Sequence, residues 1–157
     1  MKKQILKPRK TGEQRKRNHK VSVEKRIKRY IKDGGKGTLD LIGSPIDKLP
    51  DNLKVGGGLF LYTTPIKELP DNLKVGGSLD LRNTPIKELP DNLEVNLNLY
   101  LTNTLIKEIP SNLKVGLSLL LTNTPLSKEY SEEKIQYIIK EKGGYVKGNI
   151  IIWKNKY

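Results

Sequence analysis

Cysteine is absent from this 157-residue chain, and histidine, tryptophan, phenylalanine and methionine occur once each. Without thiols the chain forms neither disulfides nor thiolate metal sites, and nothing in it calls for an oxidising compartment. The lone His19 would have to serve alone in any histidine-based zinc site or Ser–His triad, and no apolar pattern surrounds it to hold the ring in place. Long apolar runs are missing as well. The start, Met1-Lys-Lys-Gln-Ile-Leu-Lys-Pro, is charged but lacks the apolar stretch of a signal peptide, and no later run approaches a membrane span. These absences lead us to expect a soluble, cytoplasmic, non-enzymatic protein with no cofactor, no metal and no membrane partner.

What the chain has in excess is positive charge, 30 Lys and Arg against 17 Asp and Glu, a net +13. The excess is confined to one end. Residues 1–36 hold 15 basic and three acidic side chains, and residues 37–157 hold 15 and 14. A nearly neutral body therefore carries a strongly basic leader, and any attraction to a polyanion belongs to that leader.

Residues 37–126 repeat with a period of 20. One unit reads Leu79-Asp-Leu-Arg-Asn-Thr-Pro-Ile-Lys-Glu-Leu-Pro-Asp-Asn-Leu-Glu-Val95, and its equivalents begin at Leu39, Leu59, Leu99 and Leu119. Four copies are complete, the fifth stops after Leu126, and no insertion breaks the register. Leu79 and Leu81 are two apart, as are Leu93 and Val95, so both pairs read as very short strands, while Pro85 and Pro90 rule out helix between them. One such unit cannot bury its own apolar side chains. Stacked units can, because each strand pairs with its equivalents about 4.8 Å away and the inward side chains line up in columns.

The spacing Leu-x-Leu-x-x-Thr-x-Ile-x-x-Leu-Pro resembles the leucine-rich repeat, in its short 20-residue bacterial and bacteriophage class, with Thr where that family has Asn or Cys. The resemblance implies a β-rich solenoid of about five 20-residue coils, with a basic N-terminal cap helix and a C-terminal α/β cap. One departure matters: Leu-Pro-x-Leu-Pro is replaced by Pro-Asp-Asn-Leu-x-Val-Gly-Gly. The Leu-x-Val pair suggests a second strand on the far side of each coil, and so a flattened two-sheet solenoid. The hydroxyl column Ser44, Thr64, Thr84, Thr104 and Thr124 falls where the chain turns inward, and we expect it to bond backbone groups freed there. Gly56, Gly57, Gly76 and Gly77 read as corners with unusual dihedrals. Gly34-Gly-Lys-Gly-Thr38 lacks the order of a phosphate loop.

Four segments are expected: a disordered basic leader over 1–20, a cap helix over 21–36, the solenoid over 37–126 and a C-terminal cap over 127–157. Ser22 is placed to cap a helix running to Lys32, with Val23, Ile27, Tyr30 and Ile31 on one face. At the other end Ser131 precedes a helix ending at Gly143, followed by a final strand or hairpin in which Trp153 packs into the core.

Residues that flank the buried leucines point outward. Phe60, Tyr62, Tyr100 and Leu120, with Asp80 and Arg82 between them, would share one rigid sheet face, and aromatic residues with Arg dominate interface energetics. That face is the expected protein-docking surface; strand propensity and stacking between coils would account for the same residues. The turn charges, Lys67-Glu68 and Asp71 among them, read as a solvated face. In the leader, Arg9, Lys10, Arg15, Lys16, Arg17 and Lys20, joined by Lys25, Arg26 and Arg29 of the cap helix, would attract nucleic acid or an acidic partner. A protein-binding module is the first expectation, and a phage-type inhibitor or adaptor of a host protein extends it through the resemblance. A nucleic-acid-associated protein, binding RNA or DNA, is the alternative. Ubiquitin-ligase effectors with similar repeats need a large Cys-containing domain, which this chain lacks.

Overall fold

The structure, a computed structural model, describes residues 11–153. It begins with helix α1 (Gly12–Lys32), and every coil after it carries two two-residue strands. Those opening on the leucine pair are β1 (Leu39–Asp40), β3 (Leu59–Phe60), β5 (Leu79–Asp80), β7 (Leu99–Tyr100) and β9 (Leu119–Leu120). On the far side lie β2 (Lys54–Val55), β4 (Lys74–Val75), β6 (Glu94–Val95) and β8 (Lys114–Val115). Helices α2 (Pro125–Glu129) and α3 (Glu132–Glu141) follow, then β10 (Tyr145–Val146) and β11 (Ile150–Ile151).

The strands form two parallel sheets. The leucine sheet runs β1-β3-β5-β7-β9-β11 and the valine sheet runs β10-β8-β6-β4-β2, so the chain is a flattened β-solenoid. Register follows the 20-residue period, Leu79 lying between Leu59 and Leu99. Leu59, Leu61, Leu79, Leu81, Leu99 and Leu101 are wholly buried, and Leu73, Leu93, Val95 and Val115 close the core from the opposite sheet. Two strand residues per sheet are enough because each coil hydrogen-bonds to the next. The Leu81 N–H, for example, donates to the Tyr100 carbonyl at 3.0 Å.

Most corners are made by asparagine, with Thr63 and Gly43 in the first two coils of one edge, correcting the expectation that Gly56, Gly57, Gly76 and Gly77 make them. Asn52, Asn72, Asn92 and Asn112 on one edge, and Thr63, Asn83, Asn103 and Asn123 on the other, have φ between 55° and 60°. Asn tolerates this left-handed region better than other residues that carry a Cβ. The stacked amides also bond along the solenoid, Asn103 Nδ2 donating to Asn83 Oδ1 at 2.7 Å and Asn123 Nδ2 to Asn103 Oδ1 at 2.8 Å. The paired glycines instead allow close approach of successive coils: a Cβ on Gly77 would sit 2.7 Å from the Gly58 nitrogen. The hydroxyl column behaves as expected, with buried Thr64, Thr84, Thr104 and Thr124 donating to the carbonyls of Leu61, Leu81, Leu101 and Leu121 at 2.6–2.8 Å.

Both ends differ from expectation. Helix α1 starts ten residues before Ser22, which lies exposed within it. Its cap is Thr11, whose Oγ1 accepts from the Gln14 N–H at 3.2 Å while Gln14 Oε1 accepts from the Thr11 N–H at 2.9 Å. This reciprocal box and the helix-favouring Glu, Gln, Arg and Lys that follow extend the helix through residues 12–20, the part read as disordered leader. Residues 1–10, with Arg9 and Lys10, lie outside the described residues. Val23 and Ile27 close the solenoid's first coil and Tyr30 packs partly against it, whereas Ile31, expected on the same face, is exposed. The Tyr30 hydroxyl donates to the carbonyls of Gly35 (2.6 Å) and Gly37 (2.8 Å), tying the helix end to the first coil.

Lys20 Nζ pairs with Asp47 at 2.8 Å, which raises the lysine's pKa and lowers the aspartate's. The depressed Asp47 value means that this tether is complete above the ordinary carboxylate range, near pH 4, and is lost as pH falls through the lowered value. The raised Lys20 value means that it persists up to about pH 10 and is lost above that. Much of each side chain remains in water, 42% of Lys20 and 63% of Asp47, so the effect is small. Thermal melts of the parent and Asp47→Asn should differ slightly at pH 7 and coincide near pH 2.

At the C-terminal end β10 and β11 do not pair with each other as a hairpin. Tyr145 aligns with Lys114 and joins the valine sheet, while Ile150 aligns with Leu119 and joins the leucine sheet. The segment is thus one more coil, offset by 31 residues instead of 20 because α2 and α3 are inserted in it. Ser131 caps α3, its side chain accepting from the Lys134 N–H at 3.3 Å, and Ile135 and Ile139 bury its apolar face. Thr124 and Ser127 make a reciprocal cap for α2.

Candidate functional site

The outer face of the leucine sheet gathers the expected docking residues into neighbouring rows. Asp80 lies between Phe60 and Tyr100 in the row formed by the second residue of each strand, and this row continues through Leu120 to Ile151. Two residues further along each coil a parallel row holds Ile42, Tyr62, Arg82, Thr102 and Thr122. Phe60, Tyr62, Tyr100 and Leu120 are half-buried in these rows.

Asp80 departs from the expectation of an outward, accessible carboxylate: it is 5% exposed. The cause is Arg82, whose Nε and Nη2 hold the two carboxylate oxygens at 2.9 and 2.6 Å while its backbone N–H donates to Oδ1 at 3.1 Å. The guanidinium in turn lies 5.3 Å from the ring centroids of both Tyr62 and Tyr100. Asp40 provides the internal comparison. It occupies the same register and its Oδ1 accepts the same kind of bond, from the Ile42 N–H at 3.0 Å, yet it stays exposed, being on the edge strand β1 with Phe60 on one side only and with Ile in the Arg82 position. The arginine pKa is raised, first by its hydrogen bond to Asp80, so the cation is permanent. This bidentate, twice-stacked arginine is held in one geometry before any partner arrives.

Trp153 corrects the expectation of a core residue. It is 75% exposed, its backbone N–H donates to Thr122 Oγ1 at 3.3 Å, and the residue extends the row of Tyr62 and Arg82 by one coil. The alternation that buries Ile150 turns Trp153 outward. At the other end of this row Ile42 is 50% exposed. The signal was available in Ile150-Ile-Ile-Trp153, which matches Leu119-Leu-Leu-Thr122 once the 31-residue offset is known.

The basic residues of α1 lie at the N-terminal end of the solenoid, apart from these rows. Arg15, Lys16, Arg17, Lys25, Arg26 and Arg29 are exposed; Lys20 is half-buried and paired with Asp47, and Arg26 Nη2 reaches Ser44 Oγ at 3.4 Å. Among the described residues no three His, Cys, Asp or Glu side chains gather into a group able to hold a metal ion, and no helix is long and apolar enough to cross a membrane. The face can offer apolar contact, ring stacking and a fixed cation. No family model matches the chain, and no curated protein or solved structure matches it.

Proposed function

We propose that the protein is a non-enzymatic binding module that docks a protein partner on the outer face of its leucine sheet. The observation that carries this reading is the alignment of the exposed Trp153 with the Tyr62, Arg82 and Tyr100 stack on one rigid sheet. Trp, Tyr and Arg are the residues that supply most binding energy in protein interfaces, and side chains already held by neighbours lose little freedom on binding. Exposed Ile42 and Trp153 end a row that runs through Tyr62, Arg82, Thr102 and Thr122, and half-buried Phe60 and Tyr100 flank it in the neighbouring row, so the face is mixed, with apolar ends and a central cation. A role as adaptor or inhibitor of a host protein follows, since binding alone suffices for either, and the resemblance of the repeat to short bacterial and phage repeats supports it.

Trp153→Ser and Ile42→Ser test the reading with little risk to the fold, because both side chains are exposed and surface changes usually stay within about 0.5 kcal/mol. A partner copurified from the native host should be held about 30-fold more weakly by Trp153→Ser, the ~2 kcal/mol of an aromatic hot spot. Unchanged partner recovery by the double variant, with unchanged melting, would place docking on another face.

A further inference from the structure

We propose that α1 is a binding element for double-stranded DNA that holds the phosphate backbone without reading sequence. The helix carries nine basic and two acidic side chains, a net +7 over 21 residues. Only Val23 and Ile27 of it are buried. Residues 12–19 are all exposed, leaving about 12 Å of helix standing free of the solenoid, at roughly 1.5 Å per residue. Among the described residues Lys20 is the one cation of α1 held in an ion pair, so the remaining charge is uncompensated.

The arrangement of that charge selects the ligand. At 100° per residue, with Val23 and Ile27 facing the coil, Arg15, Arg26 and Arg29 fall on one flank, Arg17 and Lys28 on the other, and Lys25 and Lys32 at the crest. A helix about 10–12 Å across with cations on both flanks matches the B-DNA major groove, about 12 Å wide and walled by two phosphate strands. The major groove of double-stranded RNA is too narrow for such a helix. A membrane would need a continuous free apolar face, and the helix has none: Val23 and Ile27 are buried in the cap, and the exposed Val21 and Ile31 lie ten residues apart among cations. Single strands call for stacking aromatics, and the helix offers none free but the small imidazole of His19, since the Tyr30 hydroxyl is committed to Gly35 and Gly37. Past the helix end, a groove of about 290 Å³ adds Lys36 and Lys54, while its third lysine, Lys74, is paired with Glu94 in the same lining at 3.1 Å.

The test is fluorescence anisotropy of the full chain with a mixed-sequence 24-base-pair DNA duplex across 50–200 mM KCl. Five phosphate contacts, from Arg15, Arg17, Lys25, Lys28 and Arg29, predict a log–log salt slope near −4.5, or about a 500-fold loss of affinity over this range. Replacing Arg15, Arg17 and Arg29 together by Gln should flatten the slope to about −2. The fold should survive, because none of the three is buried, and melting would confirm it. The proposal is overturned by a parental slope shallower than −2, or by unchanged binding of the folded triple variant. Equal affinity for an RNA duplex, or equal displacement of the DNA by polyglutamate of matched charge, would overturn it too.

Discussion

Replacing Leu81 by alanine is expected to lower the stability of the solenoid by about 3 kcal/mol, measured by chemical denaturation, whereas Leu97→Ala should change it by less than about 0.5 kcal/mol. The same substitution separates the two because Leu81 is wholly buried between Leu61 and Leu101, while Leu97 is 43% exposed at the outer edge of a coil. The Leu81 cavity cannot collapse easily. Its walls are the leucines of the neighbouring coils, each fixed by parallel backbone bonds such as that from the Leu61 N–H to the Asp80 carbonyl at 2.8 Å. Position along the rod adds a second effect. A solenoid's stability is a sum of unit and nearest-neighbour terms, so a defect in a middle coil weakens two interfaces and divides the rod, and the denaturation transition should broaden. A transition as narrow as the parent's with an unchanged midpoint would show that the Leu81 side chain contributes little to stability or to the coupling between coils.

The second large effect is at Arg82. Arg82→Leu is expected to cost about 2 kcal/mol, and the double change Asp80→Leu with Arg82→Leu should recover most of the loss. Removing the guanidinium leaves a carboxylate whose side chain is 7% exposed with the Arg82 backbone N–H as its remaining partner. Removing both charges leaves apolar groups beside Phe60 and Tyr100, where leucine fits a row that already includes Leu120. The cost is below that of a fully buried pair because the arginine is 45% exposed. If the double variant is no more stable than Arg82→Leu, the arginine stabilises chiefly by stacking on Tyr62 and Tyr100, and the pair is not the unit that matters. The two variants also bear on docking, since Arg82 lies at the centre of the proposed contact face.

Much of this was legible in the residues. The period of 20, the paired strands per coil and the hydroxyl column follow from an unbroken repeat, because equivalent residues in equivalent surroundings must take equivalent positions. The corners were misassigned because glycine is the expected residue at positive φ, whereas here the asparagines of Pro-Asp-Asn and Leu-x-Asn-Thr hold it and join into ladders. The start of α1 was hidden by charge. A run such as Arg15-Lys-Arg17 reads as solvated chain, yet the Thr11 box and two apolar anchors a helical turn apart, Val23 and Ile27, suffice to hold it as helix.

Trp153 and Asp80 were beyond the reach of local pattern. The alternation of Ile150-Ile-Ile-Trp153 fixes which residues share a face, but which face meets the core depends on α2 and α3 being inserted ahead of the last coil, and pairing with β9 settles it. Asp80 and Asp40 share a register, and two things separate them: Asp80 lies between Phe60 and Tyr100 with Arg82 across it, while Asp40 is on the edge strand with Ile42 in the equivalent place. The linear chain thus determined the repeat, the inward columns and the uneven charge, all consequences of periodicity and composition. Folding in three dimensions decided how that adjacency is used, with Arg82 closing on Asp80 and Trp153 joining the row of Thr122, because side-chain contacts and the 31-residue offset of the last coil are set by packing and not by the period.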